Sequence, residues 1–377
     1  MRIASTRARL ILVVASVAAL ASWAAPVASA HSRGSGLVVT STNDAGANAV
    51  LVFRRAPDGE LSPAGSFATG GAGTGSLLKS QGALAFDRDH GRRLFVVNAG
   101  SNSISEFAVE RNGLTLLDTV PSDGVQPVSL AVNGELLYVL NEGDSSSPAN
   151  ISGFRVGDRG LTAIPGSSRP LSAAAVSAPE ISFAPSGDVL VVTEEATNLI
   201  DTYTIGRDGR ADGPVTHPSA GQTPFGFAFD PHGHLVVSDA SGGAANAGAM
   251  SSYEVSEHGL LATISGPVAD DQSAPCWVVT TENGRFAYTS NTGSGTISSY
   301  TIGHDGSLTL LAADAGSTGS GSAPIDIALS RNSRFLYAVA SGTHAVNGFQ
   351  VQSDGSLTPL PAGPTSLPAS ATGLLAG

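Results

Sequence analysis

A repeat of about fifty residues runs through most of the chain and restricts the folds open to it. Each copy has a glycine after a polar residue, usually followed by leucine and a short alternation of polar and apolar residues. The seven glycines are Gly59, Gly113, Gly160, Gly209, Gly259, Gly306 and Gly355. They are spaced by 54, 47, 49, 50, 47 and 49 residues. A period this regular indicates one supersecondary unit repeated seven times.

A second element of the repeat is a short apolar strand headed by proline. The prolines are Pro127, Pro179, Pro224, Pro275, Pro324 and Pro368, and residues 81–84 take the same place once without proline. Between the two elements lie an apolar strand that ends in a polar residue, as at 94–98, and an alternating strand, as at 297–300. Each repeat thus contains four short strands with glycine or Asx turns, which is typical of a propeller blade. We expect an all-β, seven-bladed β-propeller with four-stranded blades.

The two ends of the repeat region are complementary. The region starts in mid-repeat with the strand 37–40 and ends with 368–376, which matches the first strand of a blade. Pairing of the N- and C-terminal strands would close the ring and remove an open sheet edge. We therefore predict a single propeller domain over residues 31–377.

Residues 1–30 have the pattern of a secretory signal peptide. Arg2, Arg7 and Arg9 precede an apolar run at 10–25, and small residues at 28–30 suit a signal peptidase. The run is short for a membrane span. We expect a secreted protein, extracellular or periplasmic, cleaved near Ala30 and without a membrane span.

The net charge and the composition restrict the classes of partner that the chain can bind. The net charge is −12, and loss of the three leader arginines would bring it to −15. Such a balance argues against nucleic acid, whose binding depends on clustered Lys and Arg. The single cysteine excludes an intramolecular disulfide framework. We expect a monomer that acts on a small molecule.

The repeats resemble the lactonase family of seven-bladed propellers, which includes 6-phosphogluconolactonases and carboxymuconate-lactonizing enzymes. The segments that carry the resemblance are 305–311, 324–330 with 334–337, and 354–360. Members of this family often carry a Pro-His-x-His strand, whereas Glu180 and Ser182 stand at the two histidine positions here. Lys79 and Arg169 are the cations predicted in loops near the channel mouth.

Propellers usually bind ligands at the channel mouth, where first strands begin and second strands end. The residues predicted there are acidic, amide-bearing or aromatic. Lactone hydrolysis needs a base for water and a donor for the oxyanion. The candidate catalytic residues are Glu180, the first choice as base, Glu194 and Asp239. The candidate substrate-binding residues are Asn141, Asn291, Phe225, Trp277 and Asp326.

The polar candidates have a structural alternative, because Asx and Glu at strand ends often bond to turn backbone. For Trp277 the alternative is packing within a blade. No cofactor and no metal site are predicted. Acidic loops such as 141–144 leave a divalent cation possible, and His232-Gly-His234 is interpreted as a solvated turn on the opposite face. Cys276 is expected to be an inert core thiol.

The sequence favours a secreted lactonase-like hydrolase acting on a small sugar lactone or cyclic ester. The alternative is a non-catalytic extracellular propeller that binds a ligand or a protein with the same rim. A muconate-cyclizing lyase or isomerase fits less well, since an acidic rim repels a polycarboxylate.

Overall fold

The computed structural model describes residues 36–87, 92–110, 113–361, 363 and 366–377. The predicted signal peptide lies outside these residues. The described chain is almost entirely β, and its one helical element is a 3-10 turn at Ser241–Gly243. No helix in these ranges is long and apolar enough to cross a membrane.

Within the described residues, twenty-eight strands run in chain order from blade 1 to blade 7. Blade 1 begins with β1 Gly36–Ser41, β2 Ala49–Arg55 and β3 Leu61–Ala68. Blade 2 has β4 Leu84–Asp87, β5 Arg93–Asn98, β6 Ser103–Glu110 and β7 Gly113–Pro121. Blade 3 has β8 Pro127–Asn133, β9 Leu136–Asn141, β10 Asn150–Gly157, β11 Gly160–Ala163 and the short β12 Arg169–Pro170. Blade 4 has β13 Glu180–Phe183, β14 Val189–Glu194, β15 Leu199–Ile205 and β16 Ala211–Pro218.

The remaining blades have four strands each. Blade 5 has β17 Pro224–Phe229, β18 Leu235–Asp239, β19 Ala249–Val255 and β20 Leu261–Ala269. Blade 6 has β21 Pro275–Thr280, β22 Phe286–Asn291, β23 Thr296–Ile302 and β24 Leu308–Ser317. Blade 7 has β25 Pro324–Leu329, β26 Phe335–Ala340, β27 Ala345–Val351 and β28 Leu357–Pro359. All neighbouring strands within a blade are antiparallel, so the predicted seven four-stranded repeats are confirmed, with β12 as an extra strand on β10.

The C-terminal strand β29, Thr372–Ala376, completes blade 1 as its innermost strand. It pairs antiparallel with β1, with Val38 opposite Ala376 and Ser41 opposite Thr372. It also lies between the inner strands β25 and β4 of the flanking blades. The ring is therefore closed by pairing the two ends of the chain, as the sequence predicted.

The glycines of the repeat form the turns between third and fourth strands. All seven have positive φ, from 72° to 152°, in the region that favours glycine. Several of these turns also pack on the neighbouring blade: a Cβ on Gly355 would lie 2.6 Å from the Phe286 ring. The repeat therefore encodes both the hairpins and the contacts between blades.

The apolar core lies between the blades. Second strands are buried along most of their length, as in β14 and β22, and contribute side chains to clusters that join adjacent blades. Tyrosines of second strands reach the repeat glycine of the next blade. Tyr138 bonds to the Gly209 carbonyl at 2.7 Å, and Tyr288 bonds to the Gly355 carbonyl at 2.9 Å.

Candidate active site in the channel

The connection from blade 1 to blade 2 covers one end of the central channel. It runs over residues 69–83, whereas the next connection is only 122–126. Within it, the Ser80 hydroxyl donates to the Val128 carbonyl at 2.8 Å. The Ser80 carbonyl accepts from the Trp277 indole at 2.9 Å. Because these partners lie on blades 3 and 6, residues 77–82 cross the channel where the inner strands begin, and we call them the plug.

Gln81 fixes the plug to the inner strands. Its amide nitrogen donates to the carbonyls of Phe227 and Val278 at 3.0 and 2.9 Å. Its amide oxygen accepts from the Val278 N–H at 2.9 Å. A side chain on Gly226 would collide with this amide, since a Cβ there would lie 2.3 Å from the Gln81 oxygen. Glycine at position 226 thus makes room for the amide.

Below the plug lies a cavity of about 480 Å³ that is bounded by inner strands. Most of the residues that line it have apolar side chains, and the polar side chains among them are Gln81, Glu180, Ser182, Thr280 and Asp326. Near the ends of the inner strands, Phe229, Thr280 and Leu329 are partly exposed, whereas Phe225 and Trp277 near the plug are buried. The cavity therefore opens on the face where the inner strands end, opposite the mouth expected from the sequence.

Glu180 begins β13 and lies at the plugged end of the cavity. The carboxyl is buried, and its Oε2 accepts a hydrogen bond of 2.6 Å from the Phe227 N–H. Burial raises the pKa of Glu180 well above its usual range, and the nearby Asp326 carboxylate raises it further. Glu180 is therefore harder to ionise than an exposed glutamate.

Asp326 lines the same cavity from blade 7. It occupies a β-bulge between Ile325 and Ile327 with φ of 49°, a conformation that costs a non-glycine residue strain. Its Oδ2 accepts from the Gly373 N–H at 2.6 Å. Burial raises the pKa of Asp326 to about 8. The cavity thus holds two carboxyl groups that resist ionisation.

The same two side chains also join blades. Glu180 bonds to blade 5, and Asp326 bonds to the C-terminal strand in blade 1. Ser129 joins blade 3 to blade 4 in the same way, since its hydroxyl accepts a hydrogen bond of 3.2 Å from the Ile181 N–H. These positions therefore have a structural role as well as access to the cavity.

The structure does not bring Glu194 and Asp239 to this cavity. Glu194 accepts hydrogen bonds from the Ser172 N–H at 3.0 Å and from two hydroxyls, and it neighbours Asp201 within blade 4. Burial, with the Glu194 charge, raises the pKa of Asp201 to about 7. Asp239 accepts from Ser251 and lines a separate cavity on blade 5, where burial raises its pKa to about 7.

Asn141 and Asn291 are likewise held inside their own blades. Asn141 donates to the Ser152 hydroxyl at 3.2 Å, and Asn291 donates to the Ser298 hydroxyl at 2.8 Å. Both are fully buried and line no described cavity. The polar residues that end β9 and β22 therefore bond to the third strand of their own blade.

Phe225 and Trp277 pack against each other beside the plug. Their ring centroids are 5.0 Å apart at 60°, and both side chains are about 3% exposed. They support the plug rather than line the cavity.

Cys276, next to Trp277, is buried, and this burial raises the pKa of its thiol to about 12, as suits an inert core thiol.

The sequence reasoning missed Gln81 and the plug. Two features of the sequence indicate them: the missing proline at position 81, and the 54-residue spacing of the first two repeat glycines, the longest of the six spacings.

Lys79 lies on the plug beside a small pocket of about 160 Å³ that Glu142 and Glu195 also line. Burial raises the pKa of Glu195 to about 7, although Lys79 opposes the shift. Arg169 instead lies in β12 and bonds to the carbonyls of Gly166 and Ser168.

Comparison with known proteins agrees with this architecture. Residues 240–362 match the family Lactonase, 7-bladed beta-propeller. A Bacteroides uniformis structure, provisionally assigned as a 6-phosphogluconolactonase, superposes with a TM-score of 0.72 at 18% identity, covering 90% of this chain and 98% of that one. The periplasmic gluconolactonase PpgL of Pseudomonas aeruginosa superposes with a TM-score of 0.71 at 16% identity, with the same coverage.

A search of curated sequences finds no significant match. At these identities the structural likenesses establish the fold alone, and the sequence match covers blades 6 and 7 with part of blade 5. The resemblance to the lactonase family of seven-bladed β-propellers is thereby confirmed by sequence over residues 240–362, and over the rest of the described chain the likeness is one of fold.

Proposed function

We propose that the protein is a lactonase-like hydrolase that opens a small lactone or cyclic ester in the channel cavity. The observation that carries the proposal is the meeting of Glu180 and Asp326 in one cavity of about 480 Å³. That volume lies in the range of small-molecule sites. The family resemblance over 240–362 supports the reaction class.

The two carboxyl groups suit the two needs of ester hydrolysis. Asp326 is assigned as the group that ionises, because it accepts hydrogen bonds from the backbone N–H groups of Gly373 and Leu374, which favour its ionised form. Ionised Asp326 takes a proton from water as the water attacks the lactone carbonyl. Protonated Glu180 donates a hydrogen bond to the developing oxyanion. When the tetrahedral intermediate collapses, the acyl C–O bond of the ring breaks and Glu180 gives its proton to the leaving alkoxide. This assigns Glu180 the donor role rather than the base role expected from the sequence.

The cavity lining argues for an uncharged substrate. No Lys, Arg or His is among the described residues that line it. A phosphate group calls for Arg or Lys partners, and buried carboxylates would repel it. A neutral sugar lactone or aliphatic lactone is therefore the preferred substrate class. We also propose, from the leader pattern at 1–30, that the enzyme acts outside the cytoplasm.

The alternative is a binding propeller without catalysis. The observation that favours it is the structural use of both carboxyls, each bonded to the backbone of another blade. In that case the cavity would retain a small neutral ligand unchanged. Ligand protection against unfolding without turnover would distinguish this function.

A panel of uncharged and phosphorylated lactones, assayed by acid release, tests the proposal. We expect turnover of uncharged lactones. Leu329→Trp, at the open end of the cavity, should lower kcat/KM by about tenfold because it narrows the entrance. Lys79→Ala, in the small pocket across the plug, is the matched control and should leave kcat/KM unchanged. Hydrolysis of no lactone, or loss of activity in Lys79→Ala alone, would contradict the proposal.

A further inference from the structure

Three histidines meet where blades 5 and 6 touch, on the face where the inner strands end. His232 and His234 lie in the turn between β17 and β18, and His304 lies in the turn between β23 and β24. The ring centroids of His232 and His304 are 5.1 Å apart, and those of His232 and His234 are 6.2 Å apart. None of the three lines the channel cavity.

Each turn is held by its own aspartate. The Asp230 Oδ1 accepts from the N–H groups of His232 and His234, both at 2.9 Å. In the other turn, the Asp305 Oδ1 accepts from the Ser307 N–H at 3.1 Å and from the Ser307 hydroxyl. The backbones that carry the imidazoles are therefore fixed before any ligand binds.

The two turns are also fixed relative to each other. Gly306 packs on the His234 ring, since a Cβ there would lie 2.6 Å from its Cγ. The Gly306 carbonyl accepts from the Ser252 hydroxyl of blade 5 at 2.8 Å. A site that spans the two turns would thus need little ordering on binding.

The ring nitrogens are available as ligands. Within the described ranges, the rings of His232 and His304 have no hydrogen-bond partner, and both side chains are exposed. The His234 Nδ1 bonds to the Asp230 Oδ2 at 2.9 Å, which leaves Nε2 free. A histidine that ligates a metal commonly bonds a carboxylate through its other nitrogen in this way.

We propose that His232 and His304 bind a divalent transition-metal ion between blades 5 and 6. Imidazole is a preferred ligand of Zn²⁺, Ni²⁺ and Cu²⁺. No three His, Cys, Asp or Glu side chains in the described part of the chain already surround one point. The ion is therefore held by two imidazoles and by water. Glu257, which shares a cavity of about 290 Å³ with His232, adds negative charge nearby.

Calorimetric titration of the full chain, free of any affinity tag, with NiCl₂ and with ZnCl₂ tests this proposal. We expect one ion per chain and a melting temperature a few degrees higher with metal than with EDTA, because the ion binds the folded state across two blades. His232→Ala and His304→Ala should each weaken binding by at least about tenfold. Both substitutions are at exposed positions, so melting in EDTA should stay unchanged.

His258→Ala provides the matched control, since His258 is an exposed histidine in the β19–β20 turn of the same blade. It should bind the metal as the unmodified chain does. Absence of binding at millimolar metal would overturn the proposal. Equal loss in His258→Ala, or full retention in both His232→Ala and His304→Ala, would also overturn it.

Discussion

The Tyr337 hydroxyl donates a hydrogen bond of 2.7 Å to the Gly59 carbonyl and so joins the last blade to the first. It repeats, at the closure point, the bonds that Tyr138 and Tyr288 make to the next blade. The closure therefore uses the same contact as the rest of the ring, together with β29.

Tyr337→Phe removes this hydroxyl and leaves the ring in place. The Gly59 carbonyl then loses its partner in a buried site, so we expect the free energy of unfolding to fall by about 1–2 kcal/mol. Urea unfolding measures the change. Tyr138→Phe, which removes the equivalent bond away from the closure, is the comparison and should lose a similar amount. A far larger or far smaller loss for Tyr138→Phe would contradict the equivalence of the closure contact with those in the rest of the ring.

Deletion of residues 366–377 removes β29 and leaves β1 without its inner neighbour. An unpaired apolar edge promotes association between chains, so we expect aggregation and a lower melting temperature. Light scattering and thermal unfolding measure both. Adding a synthetic 366–377 peptide should restore the monomer. A truncated chain that stays monomeric with unchanged melting would contradict the closure.

The buried carboxyls make stability depend on pH. The pKa of Asp326 is raised to about 8 and those of Asp201 and Asp239 to about 7, whereas in the unfolded chain they titrate near 4. The folded state then binds more protons between about pH 4 and 8, so stability is fully present below that window and is lost as pH rises through it.

Urea unfolding at pH 5 and pH 8.5 checks this expectation, and the chain should be more stable at pH 5. Asp326→Asn carries no titratable proton and should reduce the difference. Higher stability at pH 8.5 than at pH 5 in the unmodified chain would show that these groups ionise freely in the fold.

Gln81→Ala removes three hydrogen bonds between the plug and blades 5 and 6. We expect faster hydrogen exchange over residues 77–82 and a loss of about 1–3 kcal/mol, since the Val278 N–H loses its acceptor. Exchange in the outer strands should be unchanged. Ser182→Ala, also at the cavity but without a strong bond to the plug, serves as the control. Unaltered exchange in the plug would mean that Gln81 does not hold it.

The fold was predictable because its repeat glycines and prolines each satisfy a local backbone need. Gly355 requires positive φ in its hairpin, and proline begins strands such as β21 and β25. The glycine recurs in every blade and the proline in six of the seven, so both are visible as a period. The pairing of the N- and C-terminal strands followed from the same period, because the repeat region starts in mid-repeat and ends with a segment that matches a first strand.

The site was predictable only in part. Glu180 and Asp326 were named from the first strands, and the structure places both at the cavity. Glu194 and Asn141 are also polar residues at strand ends, but Glu194 bonds to Thr197 and Asn141 bonds to Ser152 of their own blades. A polar residue at a strand end looks alike in sequence whether it faces a cavity or the next strand. The plug closes the face of the channel that the sequence predicted to be open. It is held by contacts of Gln81 with residues 146 and 197 positions away along the chain, and no local sequence pattern indicates such contacts.

The amide substitutions Glu180→Gln and Asp326→Asn separate chemistry from structure. An amide oxygen still accepts the N–H of Phe227 or Gly373, so melting should stay close to that of the unmodified chain. Glu180→Ala lacks this acceptor and should melt lower.

The most direct test of the account is kcat/KM for an uncharged lactone, measured from pH 6 to 9 in the unmodified chain and in these two amide variants. We expect kcat/KM of the unmodified chain to rise with pH through about 8, as Asp326 ionises. Each amide variant should lose at least about 100-fold while remaining folded. Full turnover in folded Glu180→Gln and Asp326→Asn would contradict the assignment of the channel cavity as the active site.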